Sequence, residues 1–290
     1  MTNDWRTRLT EFTALTLQRP PAVPRLLRRS DSDIVDLTGK RVLITGSSAG
    51  IGAAAAVKFA ELGAHVVVVA RRQDLLDALV SQITATGGSA TAYSCDLGDL
   101  TAIDELVARV ESDHGGVDIL INNAAHSIRR PLAESLDRWH DVERMITLNY
   151  YAPLRLMRGF APGMRERGDG HIINVATWGV LMESPPLFGV YNASKAALSS
   201  ISRIAETEWF RFGVHSTTIF YPLVKTAMSA PTRAFEKRTG LSAEEAADWM
   251  VTAAQTRPIR IAPRIGLAAH AINSFRPAAI DGFMKRRLSK

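Results

Sequence analysis

The feature that most constrains this chain is a five-residue run, Arg41-Val-Leu-Ile-Thr45, that leads without a break into Gly46-Ser-Ser-Ala-Gly50-Ile-Gly52 and then an alanine-rich stretch ending at Leu62-Gly63. A short apolar run bounded by turn residues predicts a buried strand, and the alanine-rich stretch predicts a helix closed by Gly63. Glycines between the two permit a tight turn and close approach of a ligand to the backbone. The helix N-terminus offers unpaired N–H groups to a pyrophosphate. A glycine triplet alone says little. Set between a strand and a helix, it points to a dinucleotide held by Gly46, Ser47, Gly50, Ile51 and Gly52.

The same strand–helix rhythm continues. Strands are expected over His65–Ala70, Ala90–Ser94, Val117–Ile121, His171–Ala176 and Ser216–Tyr221. Helical patterns fill the gaps, including a long one that holds Trp139, Val142, Met145, Ile146 and Asn149. Such alternation implies an α/β fold with a Rossmann-type, doubly wound parallel sheet in a single domain. Its expected limits are 36–262, after an N-terminal extension (1–35) broken by Pro20, Pro21 and Pro24 and before a basic tail (263–290). The extension packs either on the main fold or on a partner; its sequence does not distinguish the two.

Bulk properties remove several classes. With 46% hydrophobic and 22% charged residues, the 290-residue chain can bury a large core. The single cysteine, Cys95, excludes an internal disulfide and fits a reducing compartment. Charges at Asp4, Arg6, Arg8 and Glu11 interrupt what would be a signal peptide, and no run of about 18 apolar residues exists to span a membrane. A cytoplasmic enzyme is therefore expected. Of the net charge of +6, the stretch from Arg257 to Lys290 supplies more than all, with eight basic residues against Asp281. The rest is nearly neutral, which argues against a nucleic-acid surface and leaves a basic end to explain.

Two further clusters carry chemistry. The second strand ends in Arg71-Arg72, where an acid would favour NAD; two guanidiniums suit the 2′-phosphate of NADPH instead. Tyr191 and Lys195, four residues apart, share one face of a helix. An ammonium close to a phenol lowers its pKa and makes it a usable proton donor to a carbonyl oxygen. No metal is expected.

With these pieces in place, residues 36–262 resemble the short-chain dehydrogenase/reductase family, in Thr45-Gly46-x-x-x-Gly50-x-Gly52, Asp96-Leu97, Asn122-Asn123-Ala124-Ala125, Asn149 and Tyr191-x-x-x-Lys195. The resemblance implies hydride transfer between a nicotinamide and a carbonyl or alcohol, and a homodimer or homotetramer. By position, Tyr191 is the proton donor, and Lys195 lowers its pKa and holds the nicotinamide ribose. Asn149 keeps a relay water, and Asp96, Leu97 and Asn123 line the adenine and ribose. The chain departs from the family at Asn174-Val-Ala-Thr177, where Thr177 takes the usual serine's place, and at Ala125 for glycine. Pro222-Leu-Val-Lys-Thr226 also lacks the usual glycine, and Val224 and Thr226 remain as nicotinamide contacts.

A closer resemblance, to bacterial fatty acyl-CoA reductases that form long-chain aldehydes, lies in Ser127–Arg130, Glu134–Arg144, Pro222–Thr232 and Leu241–Asp248. It implies a lipidic small-molecule substrate, with Arg129 and Arg130 as alternatives for coenzyme A phosphates or plain surface charges. A lid is expected over about 226–256, its helix opened by the capping box Ser242-x-x-Glu245. A 3-oxoacyl or ketone reductase needs the same Tyr191 and Lys195, and a catalytically silent NADPH-binding protein is a third reading. At the C-terminus, Ile280, Phe283, Met284 and Leu288 stand beside four cations, which suits either peripheral contact with an anionic membrane or a solvated or dimer-packed end.

Overall fold

The computed structural model describes residues 13, 14, 16–21, 34–230, 232, 235, 236 and 238–288. The first half runs β1 (Arg41–Thr45), α1 (Gly50–Glu61), β2 (His65–Ala70), α2 (Gln73–Ala85), β3 (Ser89–Ser94), α3 (Leu100–His114) and β4 (Ile119–Asn122). Next come α4 (Leu132–Leu136), α5 (Trp139–Ile146), a π-helical turn (Thr147–Tyr151), α6 (Ala152–Arg167) and β5 (Gly170–Thr177). Then follow α7 (Gly179–Met182), α8 (Gly189–Trp209), β6 (Val214–Tyr221), α9 (Ala243–Thr256), β7 (Arg260–Ile261), α10 (Arg264–Phe275) and α11 (Pro277–Leu288).

The strands form one seven-stranded sheet in the order β3-β2-β1-β4-β5-β6-β7, every pair parallel. Successive side chains point to opposite faces, so each strand feeds two cores. Val42, Ile44, Val66 and Val68 pack with Phe59 of α1 and Met250 of α9 on one face. Leu43, Val67 and Val69 pack with Ile103 of α3 and Phe160 of α6 on the other. Burial on both sides explains why the central strands β1, β2 and β4 read as apolar runs rather than alternating ones.

The strand order reverses at β1, between β2 and β4, so the carboxyl ends there splay apart and leave a crevice. Two expectations change in detail. The long helical pattern is broken into α5, the π turn and α6, with Asn149 inside the turn. The lid expected over 226–256 divides: Ser242 and Glu245 do form the reciprocal cap, but Ala246, Ala247, Met250, Ala253 and Ala254 of the helix they open are buried. Only 226–240 remains as covering loop.

The described part of the extension lies on the main fold. The Arg264 N–H donates to the Arg19 carbonyl at 3.1 Å, and Gln18 Nε2 donates to the Thr239 carbonyl at 3.0 Å. Leu9, Phe12 and Leu15, which suggested a short helix with Leu17, lie outside the described residues.

Candidate active site

One cavity of about 1400 Å³ opens at the carboxyl ends of β1, β2, β4, β5 and β6. Its cofactor side is built on the glycine turn. Gly50 has φ +59°, and a Cβ there would stand 3.2 Å from the Thr226 methyl, so the segment after β6 closes directly over the turn. A Cβ on Gly52 would fall 2.4 Å from the Gly46 carbonyl oxygen, which forces α1 hard against the end of β1. No side chain caps the start of α1 and no acid lies in its first turn, so its N–H groups face the cavity side uncompensated. That is what an anionic diphosphate requires.

Arg71 and Arg72 both border the cavity, and Arg72 Nη2 donates to Ser48 Oγ at 3.3 Å. The hydroxyl available to a ligand here is Ser48's and not Ser47's: Ser47 is fully buried and donates to the Ile44 carbonyl. Asp96 and Leu97 border the same end, with Asp96 also accepting the Gly98 N–H at 2.9 Å. Asn123 is wired to β1. Its N–H donates to Thr45 Oγ1 at 2.9 Å and its Nδ2 to the Thr45 carbonyl at 2.8 Å, while the residue still borders the cavity.

Across the cavity stand Thr177 at the end of β5, Tyr191 and Lys195 on the first turns of α8, and Val224 and Thr226 after β6. Lys195 is buried and donates to the Val175 carbonyl at 2.8 Å. Asn149 Nδ2 donates to the His126 carbonyl (2.8 Å) and to Ser194 Oγ (3.0 Å), and its Oδ1 accepts the His126 N–H at 2.8 Å. Asn149 thus fastens the loop after β4 to the catalytic helix from within the π turn. Thr177 Oγ1 accepts the Gly179 N–H at 3.4 Å and lies in the cavity wall; Ser184, the other hydroxyl near this position in sequence, donates to the Met182 carbonyl at 3.5 Å instead.

The ionisation expected of the pair is reversed in the protein alone. Burial pushes the Tyr191 phenol up to about 12 and the Lys195 ammonium down to about 7. Burial disfavours both charged forms, and Lys195 spends a donor on Val175 rather than on the phenol. The neutral phenol is the form that donates a proton.

Sequence reasoning marked Phe235 in the expected lid but missed its partner, Phe188. Phe188, one turn before Tyr191, meets it edge-on at 6.3 Å and stacks on Phe235 of the 226–240 loop at 6.2 Å with the planes 6° apart. Of the two arginines considered for phosphates, Arg129 borders the cavity. Arg130 is committed to Asp141 at 2.7 Å, shared with Arg138, and these guanidiniums hold the Asp141 carboxyl well below the usual range.

A Tyr and a buried Lys on one helix, facing a glycine turn across one crevice of a parallel sheet, are the arrangement of a Rossmann-type dehydrogenase. The short chain dehydrogenase family profile matches residues 40–237, and the chain belongs to the short-chain dehydrogenase/reductase family. It is similar to a fatty acyl-CoA reductase of Mycobacterium tuberculosis, 63% identical over 96% of this chain and 95% of the relative. A fatty acyl-CoA reductase of Acinetobacter baylyi is 44% identical over 81% of this chain and 79% of that one. Among solved structures, a metagenomic short-chain oxidoreductase in complex with NADP superposes with a TM-score of 0.66 at 31% identity, covering 76% of this chain and 92% of that one.

Proposed function

We propose that the chain is an NADPH-dependent reductase that converts a long-chain fatty acyl-CoA, or a related lipidic thioester, to the aldehyde. The observation that supports this best is the continuity of one cavity from the glycine turn, past Tyr191 and Thr177, to an apolar far wall. At about 1400 Å³ it exceeds the roughly 300–1,000 Å³ of an ordinary small-ligand pocket. The two relatives named as fatty acyl-CoA reductases, and the neighbour complexed with NADP, point the same way.

In this reading the amides at the start of α1 hold the pyrophosphate, and Arg71, Arg72 and Ser48 take the 2′-phosphate. Asp96, Leu97 and Asn123 border the adenosine side, and Val224 and Thr226 the nicotinamide. Bound there, NADPH would supply a hydride to the thioester carbon. Thr177 donates a hydrogen bond to the carbonyl oxygen, and Tyr191 delivers its proton there as negative charge develops. The resulting hemithioacetal breaks its carbon–sulfur bond, the hydroxyl proton passes to sulfur, and aldehyde and free coenzyme A leave. Lys195 holds the ribose and, with Asn149, lies on the route by which Tyr191 is reprotonated. Copies of the chain are proposed to pair through the apolar residues left exposed on α4 and α5, Leu132, Leu136 and Trp139. The basic C-terminal helix is proposed to meet anionic lipid.

The test is NADPH oxidation by the purified chain with acyl-CoA, 3-oxoacyl and ketone panels, with the product trapped as a hydrazone. A long-chain aldehyde is expected. A secondary alcohol from 3-oxoacyl substrates, without aldehyde from acyl-CoA, would establish a ketone reductase instead.

A further inference from the structure

The cavity extends beyond the part of the chain that the family profile covers. Residues 40–237 carry the glycine turn, Thr177, Tyr191 and Lys195. The same cavity is also bordered by Leu17 near one end of the sequence and by Ile265, Ala269, Ile280 and Met284 near the other. The helix that carries Ile265 and Ala269 lies on the Thr177 side of the site. Helix α10 seats on α7, which follows Thr177 almost directly: a Cβ on Gly266 would stand 3.3 Å from Leu181 and 3.4 Å from Trp178. His270 Nδ1 lies 3.3 Å from the Leu181 carbonyl oxygen. The arginines and the glycine turn belong to the opposite, cofactor side.

This wall is fastened in place. Besides the bonds of Arg19 and Gln18 already described, Arg264 Nη1 donates to the Thr16 carbonyl at 3.4 Å, and Arg19 lies 3.6 Å from Glu245. The N-terminal segment is thereby pinned to the end of the covering loop, to α9 and to α10. Ile280 is buried and Met284 half-buried, although α11 is a strongly basic helix. Aliphatic side chains turned inward from such a helix suit a hydrocarbon, not a phosphate or a ribose.

Resting on the acyl substrate proposed above, we propose that Leu17, Ile280 and Met284 form the subsite for the distal hydrocarbon of the substrate. The two ends of the chain, rather than the family core, then set which acyl length is turned over. Every methylene held against such a wall contributes about fourfold in affinity. A short acyl group ends near Thr177 and does not reach it.

Met284→Ala and Leu17→Ala are compared with the wild type for aldehyde formation from acyl-CoA of increasing length, alongside calorimetric binding of the same ligands. Both variants are expected to lose about tenfold or more in kcat/KM for long chains and to keep the wild-type value for short ones, with NADPH affinity unchanged. Ala269→Phe, which fills the wall, is expected to shift the optimum to shorter chains. Parallel loss at every length, or no change, overturns the subsite. If the wild type forms no aldehyde yet its chain-length binding profile shifts in the variants, the subsite stands and the reductase reading fails. If it forms aldehyde and the profile does not move, the reverse holds. Any one variant that folds suffices, because the two alanine substitutions lie on different segments.

Discussion

Burial moves both Tyr191 and Lys195 away from their charged forms, and that has a consequence for stability. Lys195 falls from an ordinary 10.5 to about 7, so between those values the folded protein binds fewer protons than the unfolded one. Stability of the cofactor-free protein therefore rises with pH from about 7 towards 10.5. Tyr191, raised from 10.0 to about 12, opposes it above 10. Thermal melts of the wild type and Lys195→Met across this range check the first statement: the variant should lose the rise. Turnover divides the same residues differently. Tyr191→Phe should abolish reduction while leaving NADPH binding near normal, and Thr177→Ser should retain activity that Thr177→Val loses, because the hydroxyl and not the methyl is proposed to hold the carbonyl. Arg71→Glu with Arg72→Ala should weaken NADPH over NADH by at least about tenfold, two charge-assisted bonds being lost; equal weakening of both cofactors would show that the arginines do not read the phosphate. Most of these side chains were legible because their spacing fixes a face of a helix or the end of a strand. The choice between Ser47 and Ser48 was not. Which hydroxyl faces the cavity depends on the path of the turn, and one residue of rotation buries Ser47 against Ile44.

At the scale of elements, the central strands β1, β2 and β4 were readable because both faces of the sheet are covered there, and each then shows as an apolar run. The two residues of β7 are too few to show a pattern. The helical pattern around Asn149 was readable as a helix but not as a broken one, since a π turn changes the hydrogen bonding without changing the composition. The covering loop was legible only in outline. Its position after β6 and the capping box at Ser242 marked where it begins and ends, but the inward side of α9 shows only in packing against α1 and the sheet. What the loop does rests on Phe235, whose ring lies flat on Phe188 next to Tyr191. A stacked pair of this kind contributes about 0.5–1.5 kcal/mol beyond area burial. Phe235→Ala should accordingly raise KM for the lipidic substrate about threefold to tenfold while leaving NADPH affinity unchanged. Steady-state kinetics paired with cofactor titration measure both. A fall in NADPH affinity of the same size would place Phe235 over the cofactor instead.

For the whole molecule, the two ends of the chain meet at the far wall of the cavity, and neither end announced this in the sequence. Contacts between residues more than two hundred positions apart leave no local pattern. The tail could be read only as apolar residues beside cations, and the structure separates the two. All four apolar residues border the cavity: Ile280 is buried and Met284 half-buried, while Phe283 and Leu288 are 44% and 54% exposed. Leu17, Met228 and Ile265, also exposed, border the same cavity, so its mouth carries an apolar rim. Lys285 and Arg286 on α11, Arg264 on α10 and Arg276 between the two helices place positive charge next to this rim. An apolar rim flanked by cations suits an anionic lipid surface, from which the proposed long-chain substrate would enter without crossing water. Each cation near such a surface contributes about 1 kcal/mol, so attachment should be weak and sensitive to salt. Screening lengths of about 30 Å at 0.01 M and about 8 Å at 0.15 M ionic strength set where it fades. Co-sedimentation with phosphatidylserine-containing vesicles should show binding at low salt that falls at physiological salt, and little binding to neutral vesicles. Lys285→Glu with Arg286→Glu should reduce it at least tenfold while leaving turnover of a soluble short-chain substrate unchanged, since neither residue borders the cavity. Binding that survives this charge reversal, or that ignores salt, would mean that the rim meets some other surface and that α11 serves the cavity alone.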